Sequence, residues 1–249
     1  MTSISVVTAV YNSRDTVAHS LDSVLSQSHS LVESVVIDGA STDGTLDVLQ
    51  RYRTRLGAFV SEPDKGIYDA LNKGIRHASG EVVGFLHADD LFAHDDVLAR
   101  IAEAFADSAV EAVYGDLVYV RRDDVSRVVR YWRAGRFDED ALRRGWMPPH
   151  PTFYVRRSVY ERLGLFDTRY RIAADYDLVL RFLAHGGIRA AYVSEVLISM
   201  RVGGVSNRSL RNILRKSRED LEIVRSNEVG GIGTVLQKNL GKISQFWRR

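Results

Sequence analysis

The chain has 249 residues, 45% hydrophobic and 27% charged, a balance that excludes disordered and fibrous classes and provides enough apolar surface for a real core. It has no cysteine, which rules out a disulfide framework and a thiolate metal site and suits a reducing compartment. The net charge of +2 hides a split: from Arg208 to Arg249 ten Lys/Arg face four Asp/Glu, a net of +6 that leaves −4 for residues 1–207.

The opening Met1-Thr-Ser-Ile-Ser-Val-Val has no basic stretch followed by an apolar one, so no secretory leader is expected. No apolar run approaches the roughly 20 residues that a spanning helix needs. The basic residues are not interleaved with stacking aromatics, so nucleic acid is not an expected partner.

Ile4–Val10 is a β-branched run of strand length, and Val17, Leu21, Val24 and Leu25 then recur on one face of a helix. Ser34–Asp38 predicts the second strand, Thr42–Tyr52 a short helix, and Ala58–Ser61 the third strand. Ile67, Leu71, Ile75 and Ala78 mark a helix ending near Gly80. Glu81–Leu86 predicts the fourth strand, and Val97, Leu98, Ile101 and Phe105 the helix after it. This alternation implies a mostly parallel sheet with right-handed crossovers and ligands at the carboxyl ends of its strands.

Beyond Ala112 the alternation stops. Ala112–Arg121 and Val125–Trp132 predict a hairpin, Asp138–Arg144 a helix, Tyr176 to Ala184 another, and Arg189–Ser194 and Leu197–Val202 two strands. Leu210, Ile213, Leu214, Leu221 and Val224 mark a basic amphipathic helix. The organisation expected is one α/β domain over residues 1–207, divided near 110, followed by a basic helical tail over 208–249.

Polar clusters fall at the predicted strand ends. Asp89-Asp90 is costly to place together unless a cation or donors offset the repulsion, and hard oxygen ligands suit Mg²⁺ or Mn²⁺; the plain alternative is a solvated helix cap. In Asp38-Gly-Ala-Ser-Thr-Asp43, capping accounts for Asp43 but leaves Asp38 free for a base or ribose. In Glu62-Pro-Asp64-Lys65-Gly66 the acid suits a nucleoside and the lysine a phosphate, though alone this is an ordinary turn. Asp175-Tyr176-Asp177 opens a helix, where capping explains one acid and a general base facing a hydroxyl explains the other. His150, between prolines, is a candidate phosphate or acceptor contact as well as a structural histidine, and Ser206 lies in a Gly-rich segment that reads equally as a loop able to close over a diphosphate and as a plain turn before the last helix.

The ordered set resembles glycosyltransferase family 2, the inverting transferases of the A-type fold. It consists of Ser5-Val-Val-Thr-Ala-Val-Tyr11-Asn12, Ile37-Asp38-Gly-Ala-Ser-Thr-Asp43, Asp64-Lys-Gly-Ile-Tyr-Asp-Ala-Leu-Asn72, Gly84-Phe-Leu-His-Ala-Asp89-Asp90, His150-Pro-Thr-Phe-Tyr154 with Gly164-Leu-Phe-Asp167, and Asp175-Tyr-Asp-Leu-Val-Leu-Arg181. The resemblance implies a donor-binding half over 1–110 and an acceptor and catalytic half over 111–207. Thr8, Tyr11, Asp38, Asp64, Lys65 and Asp89 would bind the donor nucleotide. Asp90 would be the principal ligand of a divalent metal, Mn²⁺ or Mg²⁺, with Asp89 shared between ribose and metal. Asp175 would be the catalytic base, with Asp177 as the fallback.

The implied partners are a nucleotide-diphosphate sugar, UDP-sugar favoured over GDP- or dTDP-sugar, and a glycan or lipid-linked acceptor in cell-envelope synthesis. The implied location is cytoplasmic, with the basic tail lying peripherally on anionic membrane. The chain departs from the family at His87, where Asp or Asn is usual, and at Ala174, where a Glu usually precedes the base. A sugar-nucleotide pyrophosphorylase would need a Gly-rich loop after the first strand, where this chain has Val10-Tyr-Asn-Ser-Arg-Asp. A catalytically degenerate carbohydrate-binding protein would not need to keep all four of Asp38, Asp89, Asp90 and Asp175.

Overall fold

The computed structural model describes residues 1–203 and 210–241. Its first half alternates strand and helix as β1 (Ile4–Val10), α1 (Val17–Leu25), β2 (Val32–Asp38), α2 (Thr45–Gln50), β3 (Ala58–Ser61), α3 (Ile67–His77), β4 (Val82–Phe85), β5 (Leu91–Phe92) and α4 (Val97–Ala104). The second half adds β6 (Ala112–Val120), β7 (Val128–Trp132), α5 (Glu139–Arg143), β8 (Tyr154–Arg156), α6 (Arg157–Leu163), α7 (Ala174–Leu180), β9 (Ala190–Arg201), α8 (Leu210–Ser226) and α9 (Ile232–Gly241). A π-helical turn at Arg181–His185 continues α7.

All these strands join one sheet in the order β3-β2-β1-β4-β8-β6-β9-β5, with β7 paired to β6. The run β3-β2-β1-β4 is parallel, whereas β8 is antiparallel to both β4 and β6. Winding proceeds outward from β1 to β3 and then returns to the other side of β1 at β4. That reversal opens a crevice at the carboxyl ends of β1 and β4, where ligands of such sheets bind. The architecture is the A-type glycosyltransferase fold expected from the motifs.

The strands are buried on both faces, which is why they read as unbroken apolar runs rather than alternating ones. On one face Val7, Val35 and Ile37 pack with Leu71 and Ile75 of α3, Leu178 of α7, Ile223 and Val224 of α8, and Val235 of α9. On the other, Ile4, Val6 and Val82 pack with Leu98 and Ile101 of α4, while Val10 and Val36 meet Val17 and Leu21 of α1. Close approach of α3 to β1 depends on Gly74, since a Cβ there would lie 2.2 Å from Val7 Cγ1.

Several expectations change. Leu197–Val202 and Arg189–Ser194 are one strand, β9, whose pairing with β6 slips on either side of Asp116; the bulged Ser194-Glu195 has no partner in that pairing and reads in sequence as a break. The inward face of α3 is Tyr68, Leu71 and Ile75, whereas Ile67 points outward at 45% exposure. In α8, Ile213 and Leu214 are exposed, and the buried face is instead Glu219, Asp220, Ile223 and Val224. The C-terminal helices therefore pack on the core. Among the described residues no helix is long and apolar enough to cross a membrane.

Candidate active site

One end of the candidate site is built from the turns after β1, β2 and β3. Asn12 and Ala40 adopt positive φ angles of 47° and 60°, uncommon for non-glycine residues, and the turns hold them by mutual bonds. Asn12 N–H donates to Ser41 Oγ at 2.9 Å, and Asn12 Oδ1 accepts from Thr42 N–H at 2.9 Å. Gly39 lies beneath Asp64 and Tyr11: a Cβ there would stand 2.3 Å from Asp64 Oδ2 and 3.4 Å from the Tyr11 ring. Tyr11 is 65% exposed. Asp64 anchors its own turn by accepting from Gly66 N–H at 2.8 Å, and Lys65 is exposed beside it.

Two expected donor contacts do not face this opening. Asp38 is fully buried; its Oδ1 accepts from Ser41 Oγ at 2.5 Å and its Oδ2 from Ser61 Oγ at 2.7 Å and Ser41 N–H at 3.1 Å. Its carboxylate is consumed in tying β2 to β3. Thr8 is also fully buried in β1, with a hydroxyl that has no partner. The ring and acid that reach the opening are those of Tyr11 and Asp64.

The turn after β4 holds the paired acids. Asp90 N–H donates to the His87 carbonyl at 3.0 Å, and Ser20 Oγ of α1 donates to the same carbonyl at 2.9 Å. That turn sends the two carboxylates different ways. Asp90 is 1% exposed; Oδ1 accepts from the backbone N–H of Arg201 at 3.1 Å, and Oδ2 is enclosed without a partner. Burial and the neighbouring Asp89 charge push the Asp90 carboxyl well above the usual range, partly offset by Arg201. Asp89 remains partly exposed. Arg201, itself buried, donates through Nη1 to the Asp89 carbonyl at 2.5 Å and pins the end of β9 to this turn. Asp90 therefore keeps one enclosed carboxylate oxygen without a partner, an arrangement that suits a cation, and Asp89 is the more exposed acid of the pair.

Across the crevice, α7 begins at Ala174 and presents a partly exposed Asp175 in its first turn. Tyr68 of α3 donates its hydroxyl to this region, with Asp175 Oδ1 at 3.2 Å and the Ile172 carbonyl at 2.8 Å. His150 stacks on Phe85 with ring centroids 5.3 Å apart, meets Phe166 edge-on at 5.6 Å, and lies 6.1 Å from the His87 ring. Neither nitrogen of His150 has a partner, nor does Nδ1 of His87. Burial pushes His150 down to about 4, and burial likewise lowers His87, against the opposing charge of Asp175 on both. Two neutral imidazoles therefore stand in the field of Asp175.

Asp177 is not brought to this site. Two positions on, a helix has turned about 200°, and Asp177 is 5% exposed, paired with Arg181 Nε at 2.8 Å and accepting from Asn227 Nδ2 at 3.3 Å. The fallback base is a buried structural acid. Ser206 lies outside the described residues. Sequence reasoning missed Tyr68 and Arg201; the one available signal for Arg201 was a lone cation at the end of the last strand, before Gly203-Gly204.

Residues 5–164 match the Glycosyl transferase family 2 domain. A PGL/p-HBAD biosynthesis glycosyltransferase of Mycobacterium bovis (strain BCG / Pasteur 1173P2) is 33% identical over 192 residues, covering 75% of this chain and 72% of that protein. Mannosyltransferase PcManGT from Pyrobaculum calidifontis, solved with GDP-Man and Mn²⁺, superposes with a TM-score of 0.67 and 25% identity over 98% of this chain and 70% of its own. TarS of S. aureus shares the fold at a TM-score of 0.66 and 19% identity; the match covers 91% of this chain but only 39% of TarS. With motifs, sheet winding and relatives in agreement, the chain belongs to glycosyltransferase family 2 and is a glycosyltransferase enzyme.

Proposed function

We propose that the enzyme moves a sugar from a nucleoside-diphosphate donor to a hydroxyl of a glycan or lipid-linked acceptor, with inversion at the anomeric carbon. The observation that carries this reading is the partly exposed Asp175, bonded to Tyr68 and, like Asp89, near enough to His87 for its charge to act on that imidazole. Asp175 takes the proton of the acceptor hydroxyl as general base. The hydroxyl oxygen then bonds to the anomeric carbon as the bond to the diphosphate oxygen breaks. Tyr68, buried and protonated, orients the carboxylate by donating to it.

Tyr11 and Asp64 are the nucleoside contacts in this reading: an exposed ring for the base and an acid for its N–H or the ribose. The donor is a nucleoside diphosphate sugar, supported by structures of TarS with UDP-GlcNAc and of PcManGT with GDP-Man; a UDP-sugar is the favoured member. The residues at the β4 turn suit a divalent ion: Asp90 offers an enclosed carboxylate oxygen without a partner, Asp89 a second hard oxygen, and His87 an imidazole with an unpartnered nitrogen. Such ions accept one or two protein ligands and complete their shell with phosphate. Mn²⁺ or Mg²⁺ held there would supply charge neutralisation to the departing diphosphate.

Peripheral contact with anionic membrane belongs to the same reading. Ile232, Leu236 and Leu240 form an exposed stripe along α9, at 60%, 58% and 63% exposure. The sequence after it supplies Lys242, Trp247, Arg248 and Arg249, an apolar and cationic set suited to an anionic surface.

The test is a thermal-shift screen of UDP-, GDP- and dTDP-sugars with Mn²⁺ or Mg²⁺, followed by NMR of the product anomer. A donor that raises the melting temperature and yields an inverted glycoside supports the reading. Donor binding without release of nucleoside diphosphate to any acceptor would instead favour a carbohydrate-binding role. Retention of anomeric configuration would overturn the base assigned to Asp175.

A further inference from the structure

Helix α7 carries Asp175 in its first turn, yet the helix does not cap itself. Its N-cap residue is Ala173, whose side chain accepts nothing. The N–H groups leading into α7 are satisfied from far along the chain, by Glu219 of α8. Oε1 of Glu219 accepts from Arg171 N–H at 3.1 Å, and Oε2 accepts from Ile172 N–H at 2.9 Å and Ala173 N–H at 3.0 Å. Glu219 is 9% exposed, so these charge-assisted bonds are little diluted by water. From the opposite side Tyr68 bonds the Ile172 carbonyl. The segment that delivers Asp175 to the crevice is thus gripped at three N–H groups and one carbonyl.

The rest of α7 is held by the same C-terminal pair of helices. Asn227, which follows α8, donates to Asp177. Lys238 of α9 lies 3.0 Å from the centroid of the Tyr176 ring and donates to Asp220 Oδ1 at 2.8 Å. Asp220 is also paired with Lys216 at 2.5 Å.

We infer that Glu219 is a positioning residue for Asp175, and that α8 and α9 form a clamp on the segment bearing the base. The inference rests on the assignment of Asp175 as base. A carboxylate that must meet one hydroxyl is sensitive to placement, and a displacement of about 1 Å can cost about 100-fold in rate. Loosening residues 171–173 moves Asp175 without touching Tyr11, Asp64 or Asp89, so the defect falls on turnover and spares donor binding.

The test compares Glu219→Gln with Asp175→Asn in the full chain. Gln keeps one acceptor oxygen and turns an NH₂ toward the N–H groups, so at least one of the three bonds is lost. The expected result is a kcat lowered about tenfold, with donor KM within twofold of wild type and the donor-induced thermal shift retained. A folded E219Q with wild-type kcat overturns the inference. So does a variant in which donor KM and thermal shift deteriorate together with kcat, because that is general loosening. If E219Q does not fold, Glu219→Asp, which keeps the charge on a shorter stem, is read by the same criteria. Asp175→Asn separates the two claims: turnover retained there refutes the base itself. Turnover abolished there, with E219Q unaffected, refutes only the positioning.

Discussion

Tyr68 and Asp175, 107 positions apart in sequence, are joined by a hydroxyl–carboxylate contact of 3.2 Å that links α3 to α7. Burial, and then the Asp175 charge, push the phenol well above its ordinary range, so it is a protonated donor at neutral pH. Removing the hydroxyl takes away the donor that Asp175 and the Ile172 carbonyl share. Tyr68→Phe is expected to lower kcat about tenfold, the rate equivalent of one hydrogen bond of about 1.4 kcal/mol. The phenyl ring still fills the space against Phe166, its neighbour at 5.5 Å. Melting temperature within a few degrees of wild type, together with a reduced kcat, is the expected outcome; unchanged kcat would remove Tyr68 from the mechanism.

The two acids after β4 make separable predictions. Asp90→Asn removes the charge of the enclosed, unpartnered Oδ2 and should abolish the Mn²⁺-dependent part of the UDP thermal shift, with kcat/KM lowered on the order of 100-fold. The amide oxygen can still accept from Arg201 N–H, so the melting temperature without metal should hold. Asp89→Asn removes the more exposed acid and should weaken UDP binding both with and without metal. A full metal-dependent shift in D90N would exclude Asp90 as a ligand.

Gly39→Ala tests the nucleoside end. The new methyl group would meet Asp64 Oδ2 at 2.3 Å, but that atom ends a side chain able to swing away. The fold should therefore survive, while Asp64 leaves the position facing Tyr11. Donor KM is expected to rise about tenfold, as for the loss of one hydrogen bond to a charged group, with kcat at saturating donor little changed. An unaltered KM would exclude Asp64 from donor binding.

The sequence was most legible where the chain carries its signal locally. β1 and β3 have the bounds expected from their β-branched runs, and Val17, Leu21 and Val24 form the buried face of α1. Short elements were not legible: β5 has two residues and β8 three, and both exist only because a neighbouring strand pairs with them. The acids were located but not sorted. Asp38 and Asp64 both follow strands, and only the fold reveals that Ser41 and Ser61 consume the first. Asp89 and Asp90 are adjacent, and Arg201, more than 100 positions away, bonds the backbone carbonyl of the first and the carboxylate of the second. Glu219 falls within the basic amphipathic helix and carries no local signal of its role, because its three donors lie 46 to 48 residues earlier.

The clamp also makes a pH prediction. Lys238 is 6% exposed on α9, and burial pushes its ammonium from 10.5 down to about 7, against the pull of Asp220. The unfolded chain therefore binds this proton more tightly between about pH 7 and 10.5, and stability rises with pH across that window. Asp220 has the opposite shift, held below 3.8 by Lys238 and Lys216 despite burial, so its contribution is complete above that pH and adds no slope near neutrality. The urea midpoint of the wild-type chain is expected to increase from pH 7 to pH 9. In Lys238→Met the apolar stem still covers Tyr176 and Asp220 keeps Lys216, and the increase should vanish. A midpoint that falls over this range in wild type, or rises equally in the variant, would show that Lys238 keeps its proton in the folded clamp.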